Sequence, residues 1–316
     1  MSKMKNLTHL KPKYLILFLS ISLVCSCQPS GSGGNKTALE DNTSVENRNL
    51  SKEFKEYWYS GKAEITSYEL TQYRYGEPRQ GKAVLIFVSE DFNPELQVKA
   101  DNPTEESVSV LKLNKTKDYA TGIYPYHVME STFSPLGKKS HAMKATASVH
   151  EWCGQAFMQV NNREDLEVKI HSYFESTADR ELQLDQALME NEVWNTLRIN
   201  PESQLLDVEK MIPSLEYLRL RHREAKAYPV DVEQKSVKDT LTTTFDYTSL
   251  NRTLKIKQEA EFPYEILAWE ESITENGKTK TTSAKRLESM RSAYWNQNKP
   301  KFSRLRDSLQ LPQYGK

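Results

Sequence analysis

Period-two alternation recurs along this chain and constrains it to β-sheet. Leu166, Val168 and Ile170 interleave with Glu167, Lys169 and His171, while Met143, Ala145, Ala147 and Val149 interleave with Lys144, Thr146, Ser148 and His150. Successive strand side chains point to opposite faces, so this pattern buries one face and wets the other. Val84–Val88 (VLIFV) is a continuous apolar run, suited to a strand covered on both faces. Further strands are expected over residues 62–75, 108–113, 122–133, 242–247 and, with a break near Pro263, 254–273. Helices are fewer. Asp185 is placed to cap a helix carrying Ala187, Leu188, Asn191, Trp194 and Leu197 and ended by Asn200-Pro201. Pro213-Ser214 opens a second, with Leu215, Leu218 and His222 on one face, and residues 284–309 predict a third, broken at Lys299-Pro300. Long antiparallel strands with a few helices against one face predict a β-rich α+β fold, a curved antiparallel sheet or half-barrel closed on one side by packed helices.

The N-terminus is a different kind of sequence. Lys3, Lys5, Lys11 and Lys13 precede the apolar run Tyr14–Val24, the layout of a secretory signal. Eleven apolar residues at about 1.5 Å each span only about half of a ~30 Å hydrocarbon core, which disfavours a permanent transmembrane helix. Val24-Cys25-Ser26-Cys27 resembles the lipobox of bacterial lipoproteins, although Val24 and Cys25 are less usual residues for their positions. The resemblance implies that Cys27 becomes the N-terminus and carries a diacylglyceryl thioether and an amide-linked acyl chain such as palmitate. Two or more chains anchor stably, at about 0.8 kcal/mol per buried CH₂. Gln28, where an inner-membrane protein of this kind carries Asp, implies the outer membrane. A transmembrane anchor and a cleaved, secreted form are the alternatives.

These features divide the chain into a signal over residues 1–27, a tether over 28–50 and one globular domain over 51–316. The tether (QPSGSGGNKTALEDNTSVENRNL) holds few aliphatics and no aromatic, and its r.m.s. reach is about 25 to 30 Å. Removing the four lysines of the signal leaves 39 basic against 43 acidic residues, a net −4. That balance gives nucleic-acid binding no electrostatic support.

Signals for chemistry are weak. Gly76-Glu-Pro-Arg-Gln-Gly81-Lys82 fits the first seven positions of a P-loop, but Ala83 stands where a Mg²⁺-binding Ser or Thr is required, and a strand former follows instead of a helix. A hairpin turned by Gly76 and Pro78 is expected there. Cys153 is the only thiol after Cys27, so no internal disulfide can form, and it reads as a buried structural cysteine with His150 on the opposite strand face. His150-Glu151 does not continue to H-E-x-x-H, and the histidines show no metal-ligand spacing, so neither a metal nor another cofactor is expected. The acid pairs Glu90-Asp91, Glu105-Glu106 and Glu270-Glu271 read as solvated loop or edge charges. With no G-x-S-x-G motif, no catalytic residue is assigned.

Aromatics are the remaining lead. Tyr57, Trp58, Tyr59, Tyr73, Tyr75, Tyr124, Tyr126, Trp152, Trp269, Tyr294 and Trp295 are expected mainly in the core, with some lining the mouth of a groove on the concave face. The segments EYWYSGKAEITSYELTQYRYGE, GKAVLIFVSEDF, NPESQLLDVEKMIPSLEYLRLRHREAKAY, FPYEILAWEES and SAYWNQNKPKFSRLRDSLQLP resemble an uncharacterised family of Bacteroidota lipoproteins. Its members often carry the label septum formation inhibitor Maf; the nucleotide pyrophosphatases of that name open on S-x-x-R-R, and no such run exists here. The element order is also similar to the half-barrels of DUF3108-type and LolA-like periplasmic proteins. Together these imply a lipid-anchored, non-catalytic envelope protein that binds a lipid or amphipathic ligand. A structural partner of an outer-membrane complex and an envelope enzyme are the alternatives.

Overall fold

The computed structural model describes residues 46–201 and 204–314. The signal, Cys27 and most of the tether lie outside the described residues. Glu46–Leu50 are already packed: Asn47 bridges Lys138, and Arg48 donates from Nη1 to the Pro135 carbonyl at 2.6 Å.

A helix, α1 (Lys52–Trp58), leads into β1 (Ala63–Arg74), β2 (Glu77–Asn93), the short β3 (Val98–Lys99), β4 (Val108–Thr121), β5 (Tyr124–Pro135), β6 (Lys144–Glu151), β7 (Gly154–Asn162), β8 (Leu166–Ser172) and β9 (Arg180–Leu184). Then come β10 (Leu188–Met189), α2 (Glu190–Ile199), β11 (Lys210–Ile212), α3 (Leu215–Leu220) and β12 (Tyr228–Pro229). Five strands follow: β13 (Asp231–Val237), β14 (Thr240–Tyr247), β15 (Arg252–Glu259), β16 (Ile266–Glu275) and β17 (Lys278–Ser292); α4 (Leu305–Ser308) is last. Fourteen strands form one sheet in the order β13-β14-β15-β16-β17-β1-β2-β4-β5-β6-β7-β8-β9, with β3 beside β2. Its pairings are antiparallel, and β13 and β9 end it unpaired with each other, so the sheet is open. A meander of hairpins runs outward on each side of β1, which joins the chain's second half through β17.

Alternation places the core. Leu85 and Phe87, Leu111 and Leu113, Val128, Ala145 and Ala147, Met158 and Val160, and Val168 share one face with Leu254, Ile256 and Trp269, and α2 and α3 pack on that face. Trp194 of α2 meets Trp269 edge-on at 5.3 Å. The opposite face carries a smaller cluster of Ala63, Ile65, Val88 and Leu309, with Val84, Ile86, Met290 and Leu311 packed around it.

Two helix expectations change. Asp185 caps nothing: Leu188-Met189 pair with β11, and α2 begins at Glu190, where the Glu192 carboxylate accepts from the Met189 amide. Residues 284–292 belong to β17 and pair with β1 and β16, because Thr279, Thr281, Thr282 and Ser283 favour an extended chain with strands waiting on both sides. The helical character expected there shrinks to short turns and the four residues of α4. Ser214 caps α3 as its sequence suggests, accepting from the Tyr217 amide at 3.2 Å.

The P-loop look-alike is the β1–β2 hairpin, turned at Tyr75-Gly76. Gly81 is there for close packing: a Cβ at this position would meet the Asp118 carbonyl oxygen and lie 2.8 Å from Tyr119 Cβ. Gly81→Ala should therefore push β2 from β4 and cost about 1 to 3 kcal/mol in a urea melt.

Candidate functional site

The helix-bearing face is filled by the apolar core, and several charged pairs are buried within it. Arg198 of α2, fully buried, grips both Glu64 carboxylate oxygens, and Tyr57 also donates to Glu64. Arg252 of β15 donates from Nη1 and Nη2 to Glu190 at 2.5 and 2.7 Å, and from Nε to Glu271 at 2.6 Å. Lys115 contacts Glu130 at 2.6 Å and Lys117 contacts Glu216 at 2.9 Å. Asn191 Nδ2 and the Glu216 amide both donate to Glu130, joining the last two pairs. Burial alone would push the Glu64 carboxyl up; the Arg198 charge overcomes it and holds the carboxyl below its ordinary value. Glu216 goes the other way, raised by burial and by the Glu130 charge against the pull of Lys117.

Buried ions beside an acyl chain would lose hydration with no return, so this face is unsuited to an apolar ligand. Glu271 is also corrected: it lies on the core parity of β16 between Trp269 and Ile273, and only Glu270 faces solvent.

A groove of about 1000 Å³ opens on the opposite face. Its floor is Ile65 of β1, Val84 and Ile86 of β2, and Met290 of β17. The segment after β17 crosses over it and supplies Phe302, Leu305, Leu309 and Leu311 as a wall. Lys299-Pro300 sets the chain into short turns in place of a strand, which lets the segment fold back with its apolar residues inward. At one end the lining turns polar, with Glu69, Lys82, Asp118 and His127; His127 Nδ1 lies 2.6 Å from Asp118 Oδ1 across the β4–β5 register. An apolar bed with one polar end is the arrangement that holds an amphipathic molecule in a fixed direction.

Cys153 differs from its expected place. It is exposed in the β6–β7 turn after Trp152, not buried, because the strand ends at Glu151 and the turn projects it outward. It borders a cleft of about 600 Å³ together with His150, His171 and Asp179, so the turn brings His150 and Cys153 to one rim despite their separation of three. The Glu151 carboxylate beside it raises the thiol's pKa above its ordinary value. A maleimide should nevertheless label Cys153 in the folded chain, read by peptide mass, with a rate that rises as pH approaches the thiol's raised pKa. Protection from labelling until denaturant is added would place the thiol inside.

No group of three or more His, Cys, Asp or Glu side chains is arranged to hold a metal ion among the described residues. No helix among them is long and apolar enough to cross a membrane. No protein-family model matches the chain, and no curated protein matches it.

The buried charges were detectable in the sequence by their parity. Leu111, Leu113, Lys115, Lys117 and Tyr119 share one face of β4, as Arg252, Leu254, Ile256 and Gln258 share one face of β15. A charge on an apolar parity marks a buried partner.

Proposed function

We propose that this chain is a lipid-anchored cell-envelope protein, held in the outer membrane through Cys27, whose domain is a non-catalytic binding module for an amphipathic ligand. The observation that carries the reading is the groove beneath the C-terminal segment, apolar along Ile65, Val84, Ile86, Phe302 and Leu309 and polar at Asp118 and His127. Its volume lies at the upper end of the roughly 300–1,000 Å³ usual for small-molecule sites.

The half-barrel belongs to the same proposal and is supported by the reach of α2. Six strand spacings of about 4.8 Å would hold β15 and β5 roughly 29 Å apart in a flat sheet. Yet Glu190 and Asn191, neighbours in α2, hold Arg252 of β15 and Glu130 of β5. A sheet wrapped around the helix satisfies both, and the ligand then lies on the convex side.

Native mass spectrometry of the Cys27→Ser chain, purified without detergent, tests the ligand. The expected spectrum carries an adduct of lipid mass that delipidation removes and re-addition restores. A chain that is bare in every preparation and takes up nothing ends the reading. Intact mass of the membrane-extracted protein tests the anchor, through the diacylglyceryl and acyl increments at Cys27.

A second reading, docking to an envelope protein, is favoured by exposed Ile123 (84%), Trp152 (69%) and Tyr173 (76%) at the sheet end away from Asn47 and the tether's entry. Crosslinking from that end would then capture one partner.

A further inference from the structure

The turns Tyr75-Gly76, Gly122-Ile123 and Trp152-Cys153 and the chain after β8 gather at one end of the sheet, as the pairings Arg74↔Glu77, Thr121↔Tyr124, Glu151↔Gly154 and Ala156↔Ser172 require. On the helix-bearing side of this end, Arg74 from β1 and Arg219 from α3 stand together with His222, just past α3. None of the three makes an ion pair among the described residues, although buried arginines elsewhere in this chain hold carboxylates bidentately. Arg219 is only 8% exposed; its guanidinium lies 4.7 Å from the Phe174 ring centre, and its Nε is buried without a hydrogen-bond partner. Arg74 stacks on Tyr75 and Tyr126 at 4.5 and 5.4 Å, and its Nε is likewise unpartnered.

Arg74 has structural duties: Nη1 donates to the Leu220 carbonyl at 3.0 Å and so caps the end of α3, and Nη2 reaches the Tyr75 hydroxyl at 3.5 Å. That does not account for Arg219. Two further orphaned polar atoms lie on the same face at the same end, the buried Tyr119 hydroxyl and Thr121 Oγ1. Tyr75 and Tyr126 hydroxyls meet at 2.7 Å beside Arg74. The carboxylate whose charge acts on Arg219 is Glu151, which is occupied with the Cys153 amide at 2.7 Å. Burial and then the Arg74 charge lower the Arg219 pKa, and burial, Arg219 and Arg74 lower that of His222. Two guanidinium groups side by side, each with a buried Nε unpaired among aromatic rings and with no carboxylate of their own, are incomplete without a counter-charge, although the tyrosine hydroxyls beside Arg74 favour its charged form.

We infer that Arg74 and Arg219, with the hydroxyls of Tyr75 and Tyr119 beside them, form a binding site for a phosphoryl oxyanion. The guanidinium fork matches phosphate oxygens in pairs, and two forks suit a doubly charged group. The exposed rings of Tyr75 and Trp152 beside it would stack on the body of the molecule that carries the group. This site lies on the other face of the sheet from the apolar groove and stands or falls independently of it.

Inorganic phosphate is the probe. Added to the purified chain at constant ionic strength, it should raise the melting temperature saturably and shift the Arg Nε–Hε resonances of Arg74 and Arg219, where equal chloride does neither. Arg74→Gln should weaken the effect about ten-fold or more, whereas Arg221→Gln, whose native arginine is already paired with Glu275, should leave it unchanged. Because Arg219 is buried, Arg219→Lys serves beside Arg219→Gln, and the resonance shifts are read in the unmutated chain. Vesicles of phosphatidylglycerol against phosphatidylcholine separate the sources. Vesicle binding displaced by phosphate assigns a lipid headgroup, and phosphate binding without vesicle binding assigns a soluble phosphorylated ligand. A phosphate response equal to that of chloride, or one that survives in Arg74→Gln, overturns the site.

Discussion

Arg252→Met should lower stability by about 3 to 5 kcal/mol, read as a fall in the urea midpoint and a drop of about 10 °C in melting temperature. One guanidinium holds two carboxylates here, Glu190 through both terminal nitrogens and Glu271 through Nε, while Tyr247 donates to the same Glu190 oxygen at 2.8 Å. Its faces are covered by Tyr217 at 4.4 Å and Tyr247 at 5.1 Å, so water cannot replace it. Removing the arginine leaves two uncompensated acids in the core. The triple change Arg252→Met, Glu190→Gln, Glu271→Gln should recover most of the loss, because it removes the charges with their partner. If the single change costs no more than a surface substitution, the cluster is not formed in solution.

An acid limb of unfolding between pH 4.5 and about 2 is the second large effect. Burial would raise the Glu271 carboxyl, but the Arg252 charge, followed by that of Lys117, overcomes it and holds the pKa at about 2, against 4.5 for the free group. A carboxyl depressed in the folded state contributes stability that is complete above its unfolded pKa and is lost as pH falls through the folded one. The window is therefore pH 4.5 to about 2, and the contribution is about 3 kcal/mol, an upper figure because the side chain remains 17% exposed. Glu64, also depressed, loses stability in the same direction. Glu216, raised in the folded state, gains on protonation and offsets part of the loss. Urea midpoints at pH 6 and pH 3 should differ in the native chain, and the difference should shrink in Arg252→Met, where the Arg198–Glu64 pair still contributes its share. A native chain equally stable at both would remove the ion pair from the account of its core.

Many strands were legible in the sequence, but β7, β9, β13 and β17 were not, nor was strand extent. The alternation at Leu166–Ser172 and Lys144–Glu151 is uninterrupted, so period alone locates β8 and β6. In β4 the apolar parity passes from Leu113 to Lys115 and Lys117, and the strand expected to stop at Leu113 runs to Thr121 because those lysines find Glu130 and Glu216 across the core. β17 was hidden for the opposite reason. Its exposed lysines and arginines satisfy helix and strand alike, and only the open edges of β1 and β16, remote in sequence, decide between them. In α2, Glu190, Asn191, Glu192, Asn195 and Arg198 are buried with the apolar residues, so a helix read as amphipathic is enclosed on every side. The groove could not be foreseen, since its wall is a segment whose fold-back depends on a sheet face built 200 residues earlier.

The most direct measurement is a titration of the chain with a fluorescent long-chain fatty acid, alongside Ile86→Lys and Phe302→Asp and with melting curves for all three. Saturable one-site binding in the native chain, weakened at least about ten-fold in both variants under conditions where each variant is still folded, is the predicted result. Binding that persists unchanged in both variants, or a native chain that binds nothing, would contradict a ligand groove on this face.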